Sequence, residues 1–252
     1  MADGWLVVWV LAVVFLATLI RSAFGFGEAL VAVPLLALLI PVEVAAPLAV
    51  LVSITVAAVI VLEDWHKVHL GSAWRLVLST LFGIPLGLLL LTAVPGPAVK
   101  ATLDAVIIAF SAYCLARRTP PELHDDRLAW LFGFGAGMLG GAYGMNGPPL
   151  VIYGTLRRWS AEQFRATLQG YFLPASVVGM AGYWLAGLWV PPVTCYYLLS
   201  LPAVLVSIGL GRAVNRRLAG RSFIRYVHTA LIVIGITLLI QSVLRWAARG
   251  SS

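Results

Sequence analysis

Three polar side chains stand in stretches that are otherwise apolar, and their types decide what chemistry the chain could do. Arg21 and Glu28 flank the glycines of "RSAFGFGEA", and Asn146 comes just before two prolines in "GGAYGMNGPP". A guanidinium suits oxyanions, because its fixed donors match two oxygens at once. A carboxylate held away from water can be pushed toward its protonated form and so carry a proton. Glu28 has two open readings: it sits favourably at a helix start or pairs with Arg21 across the break, or it is a proton carrier. Arg21 either touches an anion, or pairs with Glu28 or snorkels toward the interface. Pro148 and Pro149 suit the first turn of a helix, where a missing N–H is no loss. Such a helix end carries about half a positive charge and can hold an anion without any cationic side chain.

Other chemistries find no support in the residue spacing. There is no H-E-x-x-H, no G-x-S-x-G and no phosphate-binding G-x-x-x-x-G-K-[ST]. His66, His69, His124 and His228 lie at segment ends or in loops and form no metal set. Cys114 and Cys195 lie in apolar segments and read as plain core residues, with no disulfide framework. No cofactor and no metal are expected.

The elements that would position these residues follow from composition. The chain has 252 residues, 61% of them hydrophobic and only 11% charged, with a mean hydropathy of +0.97. A soluble domain has about a quarter of its residues charged, so this is an integral membrane protein of the all-α polytopic class. The net charge of +7 is spread over segment ends and signals membrane topology, not nucleic acid. The longest polar stretches, "ARRTPPELHDDR" and "GRAVNRRLAGRS", are too short to be soluble domains, so residues 1–252 read as one membrane domain. The start, "MADGWLVVWV", has no basic region ahead of its apolar run, and no cleaved signal peptide is expected.

Six apolar runs have spanning length: Val44–Leu62, Trp74–Val94, Ala98–Leu115, Ala166–Ala186, Val193–Leu210 and Ile224–Leu244. Two further regions, Trp5–Leu39 and Leu128–Leu156, are apolar but interrupted. Their arms Trp5–Ile20, Ala29–Leu39, Leu128–Leu139 and Leu150–Leu156 mostly fall short of a span. Each region is either one kinked span or a re-entrant hairpin. With kinked spans, Lys and Arg divide nine to seven between the two faces, leaving out Arg21 inside its break. With hairpins they divide thirteen to three, only Lys100, Arg245 and Arg249 facing the other side. The excess of basic residues on the cytoplasmic face favours hairpins, with both termini outside.

On that arrangement each half is a broken hairpin followed by three spans, and the second half is inverted. The expected repeats are residues 1–116 and 128–252, joined by a cytoplasmic linker at 117–127. An offset of 119 aligns Phe24 with Tyr143, Gly25 with Gly144, Glu43 with Glu162 and Trp65 with Trp184. Inverted repeats with broken helices near the midplane are a transporter architecture. Backbone can be irregular at that depth only inside protein or against a cavity, so both breaks should face one small anion. Its expected surroundings are Phe24, Gly25, Phe26, Gly27, Gly141, Tyr143, Gly144, Met145, Asn146, Gly147 and Gln169, with Arg21 as anion contact and Glu28 as proton carrier. Phe24 and Tyr143 gate, stack or fill the core. Thr167 and Gln169 line the cavity or bond to another helix. Asp104 reads as an interface residue near Lys100, and Arg165 as the cytoplasmic edge.

The stretch "FGAGMLGGAYGMNGPPLVIYG" with "FRATLQGYF" after it resembles the second-half signature of the TauE/SafE sulfite exporter family, and "RSAFGFGEALVAVPLL" resembles its first-half motif. Family members carry more glycines in the first break, where this chain has Phe26 and Glu28. The resemblance covers nearly the whole chain and implies a multi-pass transporter of sulfite, sulfonates or related anions in the bacterial inner membrane. The expected function is therefore secondary transport of a small oxyanion or organosulfonate. A passive anion channel and an intramembrane enzyme are the alternatives. Expected partners are the anion and the lipid bilayer, with no nucleic acid; a homodimer is open.

Overall fold

The structure is a computed structural model that describes residues 4–93, 122–143, 146–185, 187–217 and the single positions 226, 229 and 232. The described residues are helical, with no strand among them. The helices are α1 (Gly4–Phe24), α2 (Glu28–Ala37), α3 (Val42–Asp64), α4 (Leu70–Ala93), α5 (Ala129–Tyr143), α6 (Gly147–Leu156), α7 (Ala161–Leu185) and α8 (Pro191–Arg217). The expected spans Ala98–Leu115 and Ile224–Leu244 lie outside the described residues, apart from those three positions, as do Lys100, Asp104 and Cys114.

Gly4–Phe24, Glu43–Lys67 and Pro191–Arg217 are long and apolar enough to cross a membrane. For the first of these the short-arm expectation is corrected. Helix α1 has 21 residues and a length of about 31 Å at 1.5 Å per residue, because Arg21–Phe24 continue it rather than interrupt it. The later arms stay short: α2 and α6 have 10 residues each, about 15 Å, and α5 has 15. Both breaks are narrower than the glycine pattern suggested. The first is Gly25–Gly27, and α5 runs through Gly140 and Gly141 to Tyr143. Glycine inside a helix costs only about 1 kcal/mol, too little to end one by itself.

Four helix boundaries recur at one sequence offset. Phe24 and Tyr143 end α1 and α5, Glu28 and Gly147 begin α2 and α6, Ala37 and Leu156 end them, and Val42 and Ala161 begin α3 and α7. Each pair is 119 residues apart.

The chain packs as two compact units. The first comprises Met1–Ala73 with Ser160–Ala219, and the second Trp74–Trp159 with Gly220–Ser252. In the first, α1 packs on α8, α3 on α7, and α2 on α1 and α3. Its core gathers Val10, Val14, Leu36, Leu48, Val52, Val56, Ile60, Met180, Val204 and Ile208. Gly211 lets α8 close on α1: a Cβ there would lie 2.9 Å from the carbonyl carbon of Ser22. Small residues that admit close backbone approach are a common basis of helix pairing in membranes. Polar side chains reinforce the seam, Ser207 Oγ donating to Phe15 O at 3.0 Å and Asn215 Nδ2 to Ala23 O at 2.7 Å. Two expectations are corrected here. "GRAVNRR", which lies beyond the expected span Val193–Leu210, is the last part of α8, and its Asn215 is buried. Cys195 is exposed on α8, not in the core.

In the second unit, α4 and α5 meet through glycines. A Cβ on Gly137 would lie 2.9 Å from Thr80 Cα, and one on Gly133 would lie 2.8 Å from Leu76 Cα. Thr80 Oγ1 donates to Gly133 O at 2.9 Å. Part of the glycine-rich second-half motif is therefore a packing seam. At one end of this unit Asp126 accepts from Tyr153 Oη at 3.0 Å and pairs with Arg75 and Arg157, each at 3.2 Å.

The seam makes a testable prediction. Gly137→Val places a branched side chain against the Thr80 backbone and should cost about 1–3 kcal/mol, read as a lower unfolding temperature in detergent. Gly135→Ala, whose Cβ meets nothing within 4 Å, should unfold as the parent does; equal behaviour of the two variants would refute the seam.

Candidate functional site

The first break is built by two left-handed residues. Gly25 has φ 87° and Gly27 has φ 96°, conformations that cost a side-chain-bearing residue energy and glycine none. Gly25 N donates to Arg21 O at 2.6 Å, which closes α1. Two carbonyls of the turn are then taken up by side-chain amides from other helices. Asn215 Nδ2 bonds to Ala23 O at 2.7 Å, and Gln169 Nε2 bonds to Gly25 O at 2.9 Å. An unpaired carbonyl in hydrocarbon costs several kcal/mol, so these two contacts are what allow the helix to stop here.

Arg21 and Glu28 pair across the break. Both are buried, at 4% exposure each. Their placement suits the helix ends: Arg21 lies in the last turn of α1, where the dipole is negative, and Glu28 begins α2, where it is positive. Of the open readings for Glu28, the structure shows the one in which it stands at a helix start and pairs with Arg21 across the break.

The guanidinium is held from several directions. Its Nε donates to Gln169 Oε1 at 2.8 Å, and its Nη1 donates to Ser53 Oγ at 2.5 Å as well as to Glu28. Ser53 Oγ shares a hydrogen bond with Ser176 Oγ at 2.9 Å. The ring of Phe172 lies 5.1 Å from the Arg21 Cζ, within cation–π range. Among the described residues Arg21 Nη2, Thr18 Oγ1 and Ser22 Oγ are buried without a partner. The arrangement is thus a rigid, desolvated cation with one donor nitrogen to spare.

Of the residues expected at the site, Arg21, Gly25, Glu28 and Gln169 come together here. Phe26 packs edge-on to Phe164, with ring centroids 6.4 Å apart, which is a core contact. Phe24 and Gly27 are half-buried in the same turn. Thr167 accepts a hydrogen bond from His69 N at 2.9 Å and holds another helix.

The second break belongs to the other unit, and Gly144 and Met145 lie outside the described residues. Gly141 and Tyr143 are in the last turns of α5. Asn146 is the residue before α6 and makes no capping bond with its side chain. Pro148 and Pro149 stand in the first turn of α6, as their chemistry requires. They also remove donors. Of the four amides that a helix start leaves free, two belong here to proline, so only those of Asn146 and Gly147 can donate.

Three polar residues that the sequence reading passed over, Ser53, Ser176 and Asp64, complete the first unit's polar line, and the ring of Phe172 lies beside it. Arg165, expected at the cytoplasmic edge, is 1% exposed, and its Nη1 donates to Asp64 Oδ2 at 2.7 Å. Asp64 also takes Lys67 at 3.0 Å and Arg212 at 3.2 Å on Oδ1. On α7, Arg165, Gln169, Phe172 and Ser176 follow at intervals of four, three and four, the spacing of one helical face. That periodicity was the available signal, since polar residues rarely line an intramembrane helix face without purpose.

No metal cluster occurs among the described residues. Neither the curated proteins nor the solved structures contain a match to this chain. The sequence pattern of the sulfite exporter TauE/SafE family, however, matches residues 10–238. With apolar helices of spanning length and a helix broken around a buried ion pair, the chain belongs to the TauE/SafE sulfite exporter family of membrane transporters.

Proposed function

We propose that the protein is a secondary transporter that moves a small oxyanion or organosulfonate, of the sulfite or sulfoacetate kind, by alternating access. The observation that carries this reading is Arg21. A permanently charged group is buried beside a broken helix in an apolar chain, braced by Glu28, Gln169 and Ser53, with Nη2 free. Intramembrane arginines of this kind mark substrate pathways. The neighbouring carboxylate tempers the attraction, so the anion is held strongly enough to enter and weakly enough to leave. Glu28 is the candidate proton carrier: protonation would release Arg21 toward the anion and tie uptake to the proton gradient.

The inverted-repeat reading is supported by the helix boundaries that recur at 119 residues. On this reading residues 1–116 and 128–252 are the two halves and 117–127 the linker between them. The distribution of basic residues then puts both termini outside the inner membrane. Asn146 and Gly147, with their two remaining amide donors, are the second half's candidate contacts.

Flux of radiolabelled sulfite and sulfoacetate into proteoliposomes, with and without an imposed pH gradient, tests the function. Accumulation against a gradient is the expected result, and mere equilibration would identify a channel. Arg21→Lys should lower flux at least about tenfold, because an ammonium cannot reproduce the braced planar fork; wild-type flux would remove Arg21 from the pathway. Glu28→Gln should transport without responding to the pH gradient, and a preserved response would exclude it as the carrier. Topology is read separately. With Cys114 and Cys195 replaced by serine, Arg217→Cys, exposed at the end of α8, should react with a membrane-impermeant maleimide only from the cytoplasmic side. Labelling from outside would reverse the assigned orientation.

A further inference from the structure

Arg165 carries a feature that its pairing with Asp64 leaves unused. Its side chain is 2% exposed. Only Nη1 is engaged, with Asp64 Oδ2 at 2.7 Å, while Nε and Nη2 have no partner among the described residues. Those two nitrogens lie on one edge of the guanidinium. Their N–H bonds run parallel and form the fork that accepts two oxygens of a carboxylate, sulfite or phosphate. A buried charged donor is rarely left without a partner, because the cost exceeds that of a neutral one. Here an entire fork is left so.

Its surroundings favour an anion as the missing partner. Asp64 is shared by Arg165, Arg212 and Lys67, and Arg212 Nε is likewise buried without a partner. The other carboxylates nearby, Glu63 and Glu162, pair with Arg212 and Lys67. They are far more exposed than Asp64, at 36% and 39% of the side chain against 4%, so they screen the buried cations weakly. Arg165 also adjoins the break. A Cβ on Gly25 would lie 3.0 Å from Arg165 Cα, and Gln169, which holds Arg21, is one helical turn further along α7. The contrast with Arg21 is direct: that guanidinium has one nitrogen free, whereas Arg165 has a full two-donor edge.

We propose that the Nε–Nη2 edge of Arg165 is a second binding station that takes two oxygens of an anion of the sulfite or sulfonate class. It lies one turn of α7 from the Arg21–Gln169 station, and it rests on the anion-transport reading given above. Asp64 is then a positioning residue: it anchors Nη1 and keeps the fork turned away from itself. The fork is shielded from solvent in this conformation, so occupying it requires α7 and α3 to part at that end.

Sulfite titration of the purified full-length protein in nanodiscs tests this. Arg165→Lys retains a cation for Asp64 and loses both donors of the fork, so it should weaken sulfite binding at least about tenfold, the effect of losing even one charge-assisted bond. Asp64→Asn loosens the anchor but keeps the fork, so it should weaken sulfite binding, and by less than Arg165→Lys does. A purely structural pair predicts that both variants lose thermal stability together and neither changes affinity; that pattern would overturn the assignment. Wild-type affinity in Arg165→Lys alongside weakened binding in Arg21→Lys would overturn it while leaving the transport reading intact. No binding of sulfite or sulfoacetate by the parent protein would overturn both. Crystals of the parent protein soaked in selenite, the heavier analogue of sulfite, give a check that needs no variant. An anomalous peak within hydrogen-bond distance of Arg165 Nε and Nη2 is expected, and a peak at Arg21 alone would exclude the second station.

Discussion

A helix that stops in an apolar layer must find partners for the backbone groups it frees, and the first unit is arranged around that requirement. The turn Gly25–Gly27 frees the carbonyls of Ala23 and Gly25 in a place where water is not available to bond them. Asn215 of α8 takes one and Gln169 of α7 takes the other. Because these partners come from helices far along the chain, the break can form only once α1 has packed on α8 and on α7. The close approach at Gly211 and the bond from Ser207 bring that packing about. Removing either amide would leave a buried carbonyl unpaired, so the local irregularity and the tertiary fold stand or fall together.

The Arg21–Glu28 pair follows from the same geometry. Both helix ends at the break carry partial charge, negative at α1 and positive at α2, and the two side chains match those signs. Gln169 links backbone and charge in one residue: its amide nitrogen holds Gly25 O while its oxygen holds Arg21 Nε. That double use fixes the amide's orientation, which in turn fixes the plane of the guanidinium. A buried ion pair is weak evidence for stability, since the desolvation of two charges offsets much of their attraction. The pair is better understood as a device for keeping a cation in an apolar place with a donor left over.

Much of this was legible in the sequence, and the rest was hidden for identifiable reasons. Composition was enough to show a membrane protein, and the apolar runs located α3, α4, α7 and the start of α8, but not the end of α8, which lies beyond Leu210 at Arg217. The glycine clusters located both breaks but exaggerated their width, because Arg21–Phe24 and Gly140–Tyr143 are helical when packed. Pairing of Arg21 with Glu28 was among the open readings, since seven residues across a turn is a short reach. The Asp64–Arg165 pair was not visible, because its members are 101 positions apart and each alone resembles an interfacial charge. Asn215 was hidden for a related reason: it stands in a basic stretch beyond the apolar run Val193–Leu210, whereas α8 continues through that stretch and buries it.

The offset of 119 separates what the two halves share from what they do not. The helix boundaries around the breaks coincide under it, yet the charges have no counterparts: the positions 119 beyond Arg21 and Glu28 are Gly140 and Gly147. The frame that makes a broken helix is thus present twice, and the buried ion pair once. The helix-breaking frame and the buried charge are therefore separable. In the first unit the turn Gly25–Gly27 comes with a guanidinium and a carboxylate that match the two helix ends. In the second, α6 starts after Asn146, whose side chain makes no capping bond, and its first turn spends two positions on proline. The break itself thus depends on backbone geometry and on partners for the freed carbonyls, whereas the ion pair is an addition that the first unit alone carries.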